Sequence, residues 1–352
     1  MSSDIDYRGI TLIKFLAVFF MIINHSFVWF LSAGGLKIIH PELLFGDQNQ
    51  YFYIICNFSM IIPIIAGYNF GKGIHIYCEG DRILNFPFRR VISIFIFLFF
   101  IEFLINWLAY GWLTLYHWNA LTLIGSGFVF CILLGNISLN LIPLGGIFVL
   151  VIYALLDPSR TNYLLKVFFA DNGQEYFWPI FPWISLVLFG FWYSFLSKKS
   201  SYKLILEIGS FAFLLFLLIS GLKYDLQMEV GYVWGDALFQ PPIIYIFELF
   251  AFFIFLLKIC QLIEDKCTFK KYGMIRCYSQ GILYIYLLHT IIGYKFSSWL
   301  YPYFLKYPGL IFYSFLLFIC LFSWLIGFYA LRLLVDKKIV LSRSSISGVS
   351  TT

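Results

Sequence analysis

The sequence predicts an all-α polytopic membrane protein of about ten transmembrane helices, with its N- and C-termini in the cytoplasm. Three observations predict it. The 352 residues are 61% hydrophobic, 22% aromatic and only 12% charged, a balance no water-soluble domain carries. The apolar residues gather in runs of about 20, the length a helix needs to cross a hydrocarbon core of about 30 Å. The basic residues collect on alternate connections, as the positive-inside bias requires.

In chain order the spans are expected near 10–31, 50–70, 91–113, 119–136, 138–156, 179–196, 203–222, 241–262, 280–299 and 309–333. The first lacks a small-residue cleavage site after a short apolar core and carries Lys14 inside it, so it reads as a retained helix and not a signal peptide. The second leads into an inner segment, 71–90, with Lys72, His75, Arg82, Arg89 and Arg90. "LLGNISLNLIP" joins the fourth and fifth spans without a charge to orient it. With the N-terminus inside, seventeen basic residues fall on inner loops and ends and six on outer ones, Lys14 apart. The net charge of +6 therefore speaks of orientation and not of nucleic acid. Residues 1–335 read as one membrane-embedded domain, and 336–352, ending in "LSRSSISGVSTT", as a disordered cytoplasmic tail. The seven cysteines show neither CxxC nor Cys/His spacing, so no disulfide framework and no metal site is expected.

Ionisable groups within a span cost roughly 2.5–3.5 kcal/mol at mid-helix, which makes each a candidate for function. The candidates are Lys14, His25, Glu102, Glu248 and His289. Lys14 and His25 close the stretch "KFLAVFFMIINH". Eleven helical residues make three turns with about 20° left over, a rise of roughly 16 Å, so both lie on one stripe. Arg8 is about 100° off it by the same count. A cation near the cytosol with an imidazole deep on its stripe suits a long anionic ligand such as acyl-CoA, with its phosphates at the cation and its thioester at the imidazole. His25 would be a general base toward an acceptor hydroxyl, a task its near-neutral pKa suits. The plainer readings are a snorkelling lysine and a histidine bonded to a neighbouring helix. A proton-coupled transporter fits the same spacing.

"KFLAVFFMIINH" resembles the first-helix signature of the acyltransferase-3 family of integral membrane acyltransferases: a basic residue, ten residues, then histidine. "NFSMIIPIIAGYNFGKGI", "FPFRRVISIF" and "YSQGILYIYLLHTII" are similar to that family's second, third and late helices, in order. "WNALTLIGSG" and "YFWPIFPWISLVLFG" also resemble the related heparan-glucosaminide N-acetyltransferases. The resemblance implies that Lys14 and His25 belong to an acyl-transfer site with His25 catalytic, and that Arg89 and Arg90 help hold a cytosolic acyl donor. The family more often has arginine where this chain has Lys14, which keeps the charge but loses the bidentate fork.

Arg89 and Arg90, just before a helix, suit a phosphate clamp beside free amides; Arg82 lies close in sequence, and all three also read as orienting charges. His289, with Ser279, Tyr286 and Thr290 near its face, is expected to orient His25 or the acceptor. Glu102 could pair with Lys14 or His25 as a triad acid does, or be a protonated acid bonded between helices. Glu248 has the same two readings. His117, Trp118, Asn119, Trp178, Pro179, Pro182 and Trp183 mark an outer mouth, as belt aromatics or acceptor contacts.

The expected function is that of a multi-pass cell-membrane O-acetyltransferase, of a bacterial inner membrane. It would take acetyl or another short acyl group from acyl-CoA to a hydroxyl of an extracytoplasmic glycan such as O-antigen, capsule or exopolysaccharide. The lipid bilayer is its setting, and no nucleic acid and no metal are expected. An amino-sugar N-acetyltransferase and a proton-coupled transporter or flippase are the alternatives.

Overall fold

The computed structural model describes residues 9–33, 58–84, 86–111, 120–155, 180–196, 200–220, 241–267 and 273–347. Among them the chain is almost wholly helical: α1 (Ile10–Ala33), α2 (Ile62–Ile74), α3 (Phe88–Ile105), α4 (Ala120–Ile137), α5 (Leu141–Leu155), α6 (Ile180–Phe195), α7 (Ser201–Ser220), α8 (Ile243–Glu264), α9 (Met274–Gln280), α10 (Ile282–Lys306) and α11 (Pro308–Ser347). A two-residue hairpin, β1 (Cys78–Glu79) and β2 (Arg82–Ile83), turns between α2 and α3 with Cys78 opposite Ile83. Each of the ten expected ranges overlaps one of these helices.

Among the described residues six helices are long and apolar enough to cross a membrane: Ile10–Phe27, Phe88–Ala109, Ala120–Ile137, Ser201–Ser220, Ile243–Glu264 and Pro308–Leu333. The protein is an all-α polytopic membrane protein. Its outward surface agrees, since Ile205, Ile208, Phe216 and Ile219 of α7 and Phe97 and Phe100 of α3 are all more than half exposed. Water would not tolerate so continuous an apolar surface, whereas hydrocarbon does. Helices α5 and α6 are apolar but shorter. Helix α10 has the length, at 25 residues, yet carries His289, Thr290, Ser297 and Ser298 in its interior.

Helix α1 starts at Gly9, whose φ of +78° suits glycine. The free amides of its first turn are met from the far end of α8. Glu264 Oε2 accepts from Gly9 N at 2.8 Å and Oε1 from Leu12 N at 2.9 Å. A charged acceptor at a helix N-terminus opposes the positive end of the dipole. Replacing Glu264 by alanine is expected to cost about 1–2 kcal/mol, read as a lower unfolding temperature of the purified protein in detergent, with Glu264→Gln retaining part of the difference.

Several helix ends gather at one end of the bundle. Asp81 accepts from Leu139 N through its carbonyl at 2.6 Å, and its carboxylate accepts from the Ser138 hydroxyl at 3.0 Å, tying the hairpin to the α4–α5 turn. The His75 ring stacks on Phe195 at the end of α6. Burial, and then the Lys72 ammonium, hold His75 below the ordinary histidine range. Tyr193 of α6 donates to Glu207 of α7 at 3.4 Å, and Glu207 pairs with Lys258 of α8 at 2.9 Å.

Helices α2 and α6 cross at glycines. A Cβ on Gly67 would stand 2.1 Å from the Val187 carbonyl oxygen, and one on Gly190 would stand 2.2 Å from that of Ile64. Close approach through small residues is how helices associate where lipid leaves them no hydrophobic drive. Helix α11 runs on to Ser347, into the stretch expected to be an irregular tail. Neither glycine nor proline interrupts it between Gly327 and Gly348.

Candidate functional site

His25 of α1 and His289 of α10 meet. His25 Nδ1 and His289 Nε2 lie 3.0 Å apart, joining α1 to α10. The ring planes differ by 3° and the centroids are 5.2 Å apart, so the imidazoles lie edge to edge as an N–H···N hydrogen bond requires. His289 is wholly buried and His25 partly so.

The partners assign the tautomers. A carbonyl oxygen only accepts, so the contact of His289 Nδ1 with the Ile285 carbonyl one turn earlier places a proton on Nδ1. In the neutral ring Nε2 then carries the lone pair and accepts from His25 Nδ1–H. His25 Nε2 is thereby left as the basic nitrogen. The carbonyl and His289 fix the protonated nitrogen of His25, the task a carboxylate performs in a catalytic triad, without a net negative charge in hydrocarbon.

Helices α1 and α10 bring the rings together because they run parallel. Tyr278 at the end of α9 meets Phe15 at 5.6 Å, His289 meets His25, and Gly293 faces Trp29. The contacts climb both helices together. Trp29, 2% exposed, has its ring 5.5 Å from that of His25 and 5.7 Å from that of His289. On the preceding turn of α10, Tyr286 lies 6.4 Å from His25 and 6.0 Å from His289. Beside His25, the buried Asn24 donates through Nδ2 to Ser59 Oγ at 2.9 Å, which holds α1 against the chain entering α2.

Lys14 lies on α1 within the same unbroken helix as His25 and is partly buried. Arg82, in β2, and Arg89 and Arg90, in the first turn of α3, are exposed. Glu102 is 1% exposed, and its Oε2 accepts from Leu121 N in the first turn of α4 at 2.9 Å. In this contact it caps a neighbouring helix, the second of its two expected readings. Glu248 is buried on α8. Trp183, expected at an outer mouth, is wholly buried with its ring edge-on to Tyr245, so it packs the core. Arg8, His117, Trp118, Asn119, Trp178 and Pro179 lie outside the described residues.

Lys72 and Lys203 are two of the seventeen basic residues that the sequence places on inner loops and ends. Lys72 and Lys203 are 8% and 9% exposed, each with its ammonium 5.4 Å from the centre of a ring, Tyr68 and Tyr193, and those rings are 6.2 Å apart. Trp29 and Gly293 were also missed. Each stands four residues beyond one of the histidines, a spacing that places it on the next turn of the same helix face.

Compared with known proteins, the chain matches no protein family, no curated protein and no solved structure. Among the described residues no group of three or more His, Cys, Asp or Glu side chains is placed to hold a metal ion.

Proposed function

We propose that the protein is an integral-membrane O-acyltransferase with ten spans and cytoplasmic termini, moving acetyl or another short acyl group from cytosolic acyl-CoA to a hydroxyl of an extracytoplasmic polysaccharide or its lipid-linked precursor. The observation that carries this reading is the His25–His289 pair, whose hydrogen-bond chain leaves His25 Nε2 as a base inside the helix bundle. The gathering of Lys72, Arg82, Arg89, Arg90, Lys203 and Lys258 on the segments at one end supports placing that end in the cytosol. The first-helix resemblance to the acyltransferase-3 family adds its weight to the reading.

In this mechanism His25 Nε2 removes the acceptor hydroxyl proton as the oxygen attacks the thioester carbonyl. The new C–O bond forms, the C–S bond breaks, and the imidazolium returns the proton to the departing thiolate. The products are an ester and free CoA thiol. His289 stabilises the imidazolium by accepting from Nδ1–H. Lys14 with Arg82, Arg89 and Arg90 would meet the donor's phosphates. The setting is a bacterial inner membrane.

Everted vesicles carrying the full chain, supplied with acetyl-CoA labelled in the acetyl group, test the reading. Labelled ester on surface glycan, removable by mild base, is the expected result. Label stable to base and held on an amino sugar would select the N-acetyltransferase reading. Glycan or proton movement without acetyl-CoA would replace the enzyme with a transporter.

A further inference from the structure

We propose that Gly293 and Trp29 are positioning residues that hold the two imidazoles in line. The inference rests on the acyl-transfer reading only for its kinetic consequence, since the geometry stands without it.

A bond between two uncharged imidazoles is short of natural restraints. Each ring turns about its own side-chain torsions, and the N–H···N contact weakens steeply once the donor angle falls away from linear. One ring is fixed from behind, because His289 Nδ1 is bonded to the Ile285 carbonyl of its own helix. His25 has no such bond to its own backbone among the described contacts. Two rings lie against both imidazoles, Tyr286 from the preceding turn of α10 and, nearer to each, the Trp29 indole, tilted by 44° to His25 and 46° to His289. An indole set at nearly the same angle to two coplanar rings is a common wall, and it resists rotation of either one.

Trp29 can stand there only because α10 has no side chain opposite it. A Cβ on Gly293 would lie 2.1 Å from Cζ3 of Trp29 and 2.6 Å from Cη2. Those atoms are the far edge of a buried six-membered ring, packed with Phe315 edge-on at 6.3 Å. The indole cannot yield outward without disturbing α11. Gly293 is therefore the seat, and Trp29 the wall that rests in it. Both stand one turn past their histidine, so the seat and the pair share the same interface of the two parallel helices.

The prediction concerns the hydrogen bond itself. The chain has five histidines, few enough for selective 15N labelling of the full chain in lipid nanodiscs, with His25→Asn and His289→Asn identifying the two signals. In the wild type a 15N–15N coupling across the N–H···N bond is expected, with both rings protonated at Nδ1. Gly293→Ala is expected to abolish the coupling while the helical circular dichroism is kept. The double variant Gly293→Ala/Trp29→Leu, which clears the clash, is expected not to restore it, because the nearer wall is gone and Tyr286 alone does not hold the rings in line. Gly293→Ala/Trp29→Phe keeps a smaller wall and is expected to restore it in part. If Gly293→Ala keeps the full coupling, or if Trp29→Leu alone keeps it, the proposal is overturned.

Turnover supplies the second readout. Gly293→Ala is expected to lower kcat by about 100-fold, the scale of a misplacement of about 1 Å, with KM for acyl-CoA unchanged. A variant that lost folding alone would lower the amount of active protein and leave the coupling of the folded fraction intact, which also overturns the proposal. Absence of acyl transfer from the wild type would overturn the function proposed above and leave the coupling test standing.

Discussion

Replacing His25 by alanine is expected to lower acyl transfer by about 10²–10⁴-fold, the usual contribution of a general base. KM for acyl-CoA should hardly move, since the lost interaction belongs to the transition state and not to donor binding. His289→Gln and His289→Phe separate the roles of the pair. Glutamine keeps an acceptor for His25 Nδ1–H, so it should retain more activity than phenylalanine, which fills the space and accepts nothing. Single-turnover assays with labelled acetyl-CoA on equal amounts of folded protein would read all three. The His25 change also removes the donor to His289 Nε2 in a buried place, at a cost of about 1–3 kcal/mol, so unfolding temperatures must be measured beside the rates. An alanine variant that keeps more than a tenth of the wild-type turnover would remove His25 from the chemistry.

Leucine at Gly190 is expected to prevent folding. Its Cβ would meet the Ile64 carbonyl oxygen at 2.2 Å, with the carbonyl carbon and Cα behind it at 2.9 and 3.0 Å. The obstacle is backbone, so no side chain can swing aside and α2 and α6 must part. The penalty exceeds the roughly 1–3 kcal/mol typical of overpacking, because separation also forfeits the van der Waals contact that holds helices together in lipid. Size-exclusion chromatography in mild detergent should give aggregate and no monodisperse peak. Gly209→Leu on α7, where a Cβ meets nothing within 4 Å, should elute as the wild type does. A monodisperse Gly190→Leu protein would contradict the crossing.

The helical ranges were legible because the apolar run is a strong signal, and its limits coincide with charge, glycine or proline. Helix α1 shows why the site was half legible. Lys14 and His25 are eleven residues apart on one helix, so phase alone fixes their common stripe. The meeting of His25 with His289 spans 264 residues of sequence, and no periodicity reports which of the later helices comes to rest beside the first. A histidine in an apolar run pointed to His289, but not to the Ile285 carbonyl that orients it. Glu102 shows the same limit. Its bond to the amide where α4 begins is of the second expected kind, an acid bonded to a neighbouring helix, but no periodicity says which helix supplies the donor. Lys72 and Lys203 are legible as charges by composition. Their burial over tyrosine faces depends on which helix ends gather together, and only the folded chain contains that information.

The separation of the two histidines also bears on biogenesis. At about 5–20 residues per second of synthesis, the helix bearing His25 waits roughly 15–50 s for the one bearing His289. Glu264, which caps the amides at the start of α1, emerges only a little sooner. Until α8 and α10 emerge, the first helix thus has its leading amides without the Glu264 cap and its imidazole without His289. Assembly of the pair waits for α10 to leave the ribosome, so a chain halted after α8 would be capped at its beginning and still lack half of its histidine pair.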